Sequence, residues 1–334
     1  MFRADVHDPQ WYIDRAFKRA KEAALATRKS LEIKGYKRYQ AIEIARINTI
    51  YQIIKNDIKR ILDEFPPLES LPEFYQELIP LIVDWKQVKE ALRRLALIIR
   101  LLNEWFERYR NKIKGTKNPN EMAKIRREFY GRVASLLKRN AKYFEILKEA
   151  SRKLRNLPVI KNYPTVVIAG LPNVGKSTLL KKLTGSEPEI QPYPFTTKGL
   201  MIGYIETPYT KIQIIDTPGV LDRPFEEMNN IERQAVLAIK KLAHKIIYIF
   251  DVTETCGYPI EDQEKLFEQL RKEFNLNKEN TIIYFSKTDI FKEEDWSKYS
   301  ALSKKYKEFK QFTNSQELKE YLIQWVKKRK DLWV

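Results

Sequence analysis

The stretch Gly170-Leu-Pro-Asn-Val-Gly175-Lys176-Ser177 follows an apolar run, Thr165-Val-Val-Ile-Ala169, and leads into Thr178-Leu-Leu-Lys-Lys-Leu183. The first run reads as a buried strand and the last as a helix, so the glycines lie in a strand–turn–helix unit. Glycines let the backbone curl until successive N–H groups converge. The helix adds its positive N-terminal end. Such a cradle fits phosphate oxygens. Gly170, Leu171, Pro172, Asn173, Val174, Gly175, Lys176, Ser177 and Thr178 would then surround a polyphosphate. Lys176 would reach the outer phosphates, and Ser177 would hold Mg²⁺. A glycine-rich turn that matched by accident would lack the flanking strand and helix.

Asp216 lies 40 residues after Lys176, at the end of Ile212-Gln-Ile-Ile-Asp216-Thr-Pro-Gly219. An apolar strand delivers its carboxylate beside the phosphates, where it would hold the metal through water. Gly219 has no side chain, so its N–H can approach a γ-phosphate closely. Between the two motifs lies Tyr193-Pro-Phe-Thr196-Thr197-Lys-Gly199. A threonine hydroxyl there completes the metal shell only while a γ-phosphate is present, the ordering logic of a GTPase switch. Thr197 is favoured over its neighbour Thr196. The expected metal set is Ser177, Thr197 and Asp216, and the expected catalytic set is Lys176, Thr197 and Gly219.

A fourth element, Thr281-Ile-Ile-Tyr-Phe-Ser286-Lys287-Thr288-Asp289, is a strand ending in Ser-Lys-Thr-Asp where GTPases usually carry Asn-Lys-x-Asp. Asp289 would accept from the N1–H and N2–H₂ of guanine, and the alkyl stem of Lys287 would cover the base. Ser286 is shorter than Asn and makes fewer loop-bracing hydrogen bonds. Guanine is favoured over adenine. A fifth motif is unreadable: Ser300-Ala301 comes too early, and Thr313-Asn314-Ser315 has the better place with other letters. The residue after Gly219 is Val220, where many small GTPases use Gln to orient water. Slow intrinsic hydrolysis of GTP to GDP follows, with water positioned by another side chain, a K⁺ ion or an activating partner.

With 334 residues, the chain has room for about two domains. No apolar run approaches the ~20 residues of a membrane span, and nothing at Met1-Phe-Arg-Ala-Asp5 suggests export. One cysteine, Cys256, excludes an internal disulfide, and a reducing cytoplasm fits. Two histidines and one cysteine cannot build a structural zinc site. Net charge is +18. Residues 1–160 hold 35 Lys and Arg against 20 Asp and Glu, so the excess is almost all N-terminal.

That half reads as helices. Asp8-Pro9 caps a helix to about Arg28. A second carries Ile44, Ile47, Tyr51, Ile54, Ile58, Ile61 and Phe65 at alternating spacings of three and four, and Pro66-Pro67 stops it. Leu68 to Val83 reads as a linking segment. A third helix carries Trp85, Val88, Leu92, Leu95, Ile99, Leu102, Phe106, Tyr109 and Ile113. A fourth runs from Asn118-Pro119 to about Asn156 with Leu136 and Tyr143 among its inward residues. Long regular seams predict an antiparallel bundle. Gly131, mid-helix, suggests close approach by a neighbouring backbone. The polar faces carry Arg15, Lys18, Arg19, Lys37, Arg38, Arg93, Arg94, Lys112, Lys114, Lys117, Arg126, Arg127, Arg132, Lys138 and Arg139. Laced salt bridges would need matching acids, which are too few. An anionic partner follows, and a long helical surface suits structured RNA better than a DNA operator or a membrane.

The motifs together resemble the Obg-related branch of GTPases. Asp216-Thr-Pro-Gly-Val-Leu-Asp-Arg-Pro224, Asn230-Ile-Glu-Arg-Gln-Ala235, Cys256-Gly-Tyr-Pro-Ile-Glu-Asp-Gln263 and Arg127-Glu-Phe-Tyr-Gly-Arg-Val-Ala-Ser135 are similar to the nucleolar GTP-binding protein 1 family, in its short archaeal form. The resemblance runs from about residue 10 to 290. It implies an N-terminal helical bundle, a Ras-like GTPase domain, and a role in maturing the large ribosomal subunit, with rRNA and ribosomal proteins as partners. It also implies that Gly170, Asn173, Gly175, Lys176 and Ser177 bind phosphate and magnesium, and that Asp216 and Gly219 sense the γ-phosphate. A hydrophobic residue at Val220 is usual in this branch. Departures are Ser286 for Asn, the unreadable fifth motif, and a chain that stops soon after its last helix.

The expected architecture is α/β: an all-α bundle over residues 1–156, a linker over 157–164, and a P-loop GTPase domain over 165–334. The GTPase half should hold a mostly parallel sheet with strands Thr165–Ala169, Leu200–Glu206, Lys211–Asp216, Lys245–Asp251 and Thr281–Ser286, an antiparallel edge pair turning at Thr207–Thr210, and helices including Asn229–Ala243, Glu261–Phe274 and Ser315–Lys330. The leading reading is a GTP-controlled factor in large-subunit assembly. The alternatives are a regulatory or metabolic NTPase that does not act on ribosomes, and a scaffold that holds nucleotide structurally.

Overall fold

The computed structural model describes every residue except Met1, Arg3, Leu31, Ile33, Phe195, Thr197, Lys198, Pro224, Trp333 and Val334, and the side chain of Lys330. The chain forms two compact units. The first holds Met1–Ser70 and Ile82–Arg155; the second holds Leu71–Leu81 and Asn156–Val334.

The helical unit contains α1 (Pro9–Ser30) and α2 (Tyr36–Asp63). After α3 (Glu73–Ile82), which packs with the other unit, come α4 (Trp85–Gly115), α5 (Pro119–Arg139) and α6 (Ala141–Leu154). Asp8 accepts from the amides of Gln10 and Trp11 at the head of α1, and Asp84 accepts from those of Lys86 and Gln87 at the head of α4. These caps satisfy amides that a helix start leaves open. Helix α2 packs against α1, α4 and α5. Ile47, Ile50, Ile54 and Ile58 on α2 are at most 1% exposed, so its isoleucine stripe is core.

Three expectations for this half need correction. The fourth predicted helix is two, α5 and α6, broken at Asn140, whose side chain donates to the Leu136 carbonyl. The break rotates the buried face, so Leu137 and Phe144 are buried where Leu136 and Tyr143 were expected. Gly131 has no neighbour within 4 Å of where a Cβ would stand, so no backbone approaches it. The segment expected to link helices contains α3, and Leu71–Leu81 belongs to the second unit. The single boundary at 156/157 therefore leaves an insert uncounted. The reason is the apolar face Phe74, Tyr75, Leu78 and Ile79, all buried. Phe74 stacks on Tyr193 at 6.3 Å between ring centroids, Tyr75 Oη donates to the Pro158 carbonyl, and Glu73 pairs with Lys241.

The second unit is built on a seven-stranded sheet of order β2-β3-β4-β1-β5-β6-β7. Its strands are β1 (Thr165–Ala169), β2 (Glu189–Gln191), β3 (Leu200–Glu206), β4 (Lys211–Asp216), β5 (Lys245–Phe250), β6 (Thr281–Phe285) and β7 (Lys310–Phe312). β4, β1, β5, β6 and β7 run parallel, while β3 is antiparallel to both β2 and β4. The turn at Thr207–Thr210 joins β3 to β4 as expected, but β2 covers β3 and becomes the edge. β1, β5 and β6 are buried at every position, which is why they read as unbroken apolar runs. The helices are α7 (Lys176–Thr184), α8 (Asn230–Lys240), α9 (Ile260–Phe274), α10 (Glu293–Lys305) and α11 (Ser315–Lys328). Helix α10 was not anticipated, and Ser300-Ala301 lies within it. Among the described residues, no helix is long and apolar enough to cross a membrane.

Candidate nucleotide-binding site

The sheet register sets the site. Ile168 pairs with Asp216, and Ala169 with Tyr248, so the segment leaving β1 at Gly170 rises between the ends of β4 and β5. Gly170 has φ 143°, and a Cβ there would lie 3.0 Å from the Ile249 carbonyl oxygen. Only glycine fits that conformation and that approach. Leu171 and Val174 are buried in the core, so they bring backbone rather than side chain to the site. Gly175 caps the N-terminus of α7. A cavity of about 320 Å³ opens over this loop; Pro172, Asn173, Lys176, Ser177, Asp216 and Asp222 are among its walls.

Lys176 is 7% exposed, and its ammonium donates to the carbonyls of Gly170 and Leu171, both at 2.8 Å. Ser177 Oγ donates to Asp216 Oδ2 at 2.6 Å. The structure therefore joins two residues that lie 39 apart in sequence. Asp216 is fully buried, and its Oδ1 has no hydrogen-bond partner. Burial pushes its carboxyl up, while the Ser177 hydroxyl and the Lys176 ammonium oppose the rise. A buried carboxylate with an oxygen left over, beside a hydroxyl, suits a hard divalent cation with oxygen ligands. Ser177 and Asp216 fit Mg²⁺ on these grounds.

A second cavity, about 210 Å³, shares Gly175 and Thr178 with the first and is lined further by Tyr284, Ser286, Lys287 and Asp289. The glycine loop and the Ser-Lys-Thr-Asp segment thus border neighbouring cavities that share Gly175 and Thr178. Ser286 donates through both its amide (2.9 Å) and its hydroxyl (3.3 Å) to the Phe250 carbonyl, so it braces β6 against β5.

Lys287 is held by a residue that sequence reasoning missed. Its ammonium lies 2.7 Å from Asp251 Oδ2 and 2.8 Å from Thr255 Oγ1. The Asp251 side chain is 0% exposed. It also accepts from the Thr253 amide and hydroxyl and from the Cys256 amide. Burial pushes its carboxyl up, but the Lys287 and Thr253 bonds outweigh that and hold it below the usual carboxylate value. The signal was present: Asp251 ends the apolar run Lys245–Phe250, as Asp216 ends its own. Cys256 is buried in the same loop, and burial pushes its thiol up.

Of the switch residues, Thr197 lies outside the described residues. Thr196 Oγ1 donates to the Tyr193 carbonyl and accepts from the Gly199 amide, so its hydroxyl is engaged within the loop. Tyr193 Oη donates to the Ala235 carbonyl at 2.6 Å, which ties this segment to α8. Val220 and Leu221 are 2% and 1% exposed. The amide of Gly219 donates to Asp222 Oδ2 at 2.7 Å.

A mostly parallel sheet, a glycine-rich loop at the end of β1 leading into α7, and a cavity beside it at the end of β6 are the architecture of a P-loop GTPase domain, here accompanied by a helical unit. Comparison with known proteins agrees. Residues 5–161 match the model described as the NOG1 N-terminal helical domain, and residues 165–287 match that of the 50S ribosome-binding GTPase. An uncharacterized protein of Methanocaldococcus jannaschii is 38% identical over 86% of this chain and 79% of its own length. Nucleolar GTP-binding protein 1 of Drosophila melanogaster is 36% identical over 78% of this chain and 40% of its own. That of Saccharomyces cerevisiae is 36% identical over 70% and 36%. The chain belongs to the nucleolar GTP-binding protein 1 family and is a guanine-nucleotide-binding GTPase. It spans about two-fifths of the length of those two eukaryotic relatives.

Proposed function

We propose that this protein is a GTP-controlled factor in assembly of the large ribosomal subunit, with its helical unit as the RNA-binding surface. In this reading the amides from Gly170 to Thr178 hold the α- and β-phosphates, and Lys176 turns its ammonium to the outer phosphates. Ser177 and Asp216, with Thr197 in the triphosphate state, would hold Mg²⁺, which would supply positive charge against the negative charge of the phosphates. Gly219 donates its amide to the γ-phosphate, and Asp289 reads the guanine edge while Lys287 covers the base. Val220 is apolar and buried, so it cannot orient the attacking water. Intrinsic hydrolysis is then slow, and an activating partner or a K⁺ ion supplies what is missing. The observation that carries the nucleotide reading is the Ser177–Asp216 contact in a cavity that shares Gly175 and Thr178 with the one Asp289 lines.

The RNA reading rests on charge. Arg15, Arg19, Arg94 and Arg126 pair with Asp57, Glu22, Glu90 and Glu43, so they count less than sequence alone suggested. Lys18, Lys37, Arg93, Lys112, Lys114, Lys117, Arg127, Arg132, Lys138 and Arg139 are exposed. Ten exposed cations can neutralise several backbone phosphates, which makes binding steeply salt-dependent. The matching family model is described as ribosome-binding, which supports the same partner. Co-sedimentation with large ribosomal subunits tests it. Binding at low salt that weakens steeply with added salt and depends on GTP analogue or GDP is the expected result. No binding at low salt in any nucleotide state would refute it, leaving a regulatory or metabolic NTPase.

A further inference from the structure

Gly219 has one N–H and therefore one hydrogen to give, and Asp222 takes it. Asp222 Oδ2 lies 2.7 Å from the Gly219 nitrogen, a short distance of the charge-assisted kind. The two intervening side chains, Val220 and Leu221, are buried. Asp222 is therefore the first side chain after Gly219 to reach the phosphate cavity, where it forms part of the wall with Lys176, Ser177 and Asp216. Gly219 has a left-handed backbone, φ 75°, which glycine adopts without strain.

We propose that Asp222 is a latch that discriminates triphosphate from diphosphate. Its carboxylate occupies the donor that a γ-phosphate would need. Two anions cannot both accept the one proton, and each repels the other across the cavity. Binding GTP requires Asp222 to release Gly219 and turn away; binding GDP does not, because GDP has no group that competes for that amide. Loss of the γ-phosphate lets the carboxylate return. The chain thereby favours the diphosphate state and couples release of Asp222 to arrival of the third phosphate. The position three residues beyond Gly219 becomes a specificity determinant. The inference rests on the reading of Gly219 as the γ-phosphate donor.

The test compares affinities for GDP and a non-hydrolysable GTP analogue, both with Mg²⁺, in wild type, Asp222→Ala and Asp222→Asn. A hydrogen bond to a charged group sets the scale. The analogue-to-GDP affinity ratio is expected to rise about tenfold in Asp222→Ala, because analogue binding tightens more than GDP binding. Asp222→Asn keeps an acceptor but no charge, so its ratio falls between the two. A readout without nucleotide is hydrogen exchange at the Gly219 amide, which should quicken in Asp222→Ala. An unchanged ratio, weaker analogue binding, or unchanged Gly219 exchange in Asp222→Ala would overturn the latch. Wild type that binds neither nucleotide would instead overturn the phosphate-loop reading beneath it.

Discussion

Replacing Asp251 by Asn removes one negative charge from a fully buried site and leaves the volume almost the same. Oδ2 of Asp251 accepts from the Cys256 amide at 2.9 Å and from the Lys287 ammonium at 2.7 Å, while Oδ1 accepts from the Thr253 amide and hydroxyl. An asparagine can turn its oxygen to one set of donors only. Its NH₂ then meets a backbone N–H head-on, and that buried donor goes unsatisfied at a cost of about 1–3 kcal/mol. The Lys287 pair is lost as well. Lys287 is 25% exposed, so water recovers part of that, and about 1 kcal/mol remains. The expected destabilisation of this unit is about 2–4 kcal/mol at pH 7. Hydrogen exchange at the amides of β5 and β6, followed through increasing urea, reads the opening of this unit separately from the helical one. The sign with pH is also fixed. The folded carboxyl of Asp251 sits below its usual value, so the unfolded chain binds the proton more readily. Its contribution is full above the unfolded value, near pH 4, and is lost as pH falls through the folded one. The gap between wild type and Asp251→Asn should therefore narrow below about pH 4. A loss under about 1 kcal/mol at pH 7, or a gap that widens in acid, would refute the account of Asp251 as the anchor of Lys287.

Lys176→Ala should lower affinity for GTP and GDP by about a hundredfold, since its ammonium is the charge expected to meet the outer phosphates; equilibrium binding of a fluorescent nucleotide measures it. Asp289→Asn should turn preference from guanine toward xanthine nucleotides, and competition binding with GDP and XDP would expose an unchanged preference. Gly131→Ala should stabilise the helical unit by about 0.5–1 kcal/mol, because α5 gains helix propensity and a Cβ there meets nothing within 4 Å; a fall in thermal midpoint would contradict this. Single-turnover hydrolysis by the isolated protein should be far slower than the ~5–20 s⁻¹ of partner-stimulated GTPases, with rapid-quench measurement deciding.

What the chain states on its face is local. Strand, glycine loop and helix follow one another within residues 165–183, so covalent order alone brings the backbone amides of the phosphate loop together. The isoleucine stripe of α2 is legible for the same reason: spacings of three and four lie on one helical face wherever the helix goes. Asp216 and Asp289 could be named because one ends an apolar strand and the other follows one within four residues, and parallel strands deliver their ends to a common edge. The N-terminal surplus of positive charge is simple arithmetic on the letters.

Folding decided the contacts between distant residues. No spacing rule links Asp251 to Lys287, 36 positions apart, until β5 and β6 lie side by side. The apolar face of α3 shows that this segment is covered, but not by what; only the tertiary structure puts Phe74 against Tyr193 and Glu73 against Lys241. The break at Asn140 turns one predicted helix into two, because a propensity pattern cannot say where a continuous stripe must rotate to stay on the core. Asp222 is the sharpest case. In sequence it is one letter of Asp216-Thr-Pro-Gly-Val-Leu-Asp-Arg-Pro224, with no sign of what its side chain touches. In the folded chain the burial of Val220 and Leu221 turns its carboxylate onto the Gly219 amide. Periodicity records which face a residue takes, but not which distant partner waits there, since that depends on how the chain closes on itself.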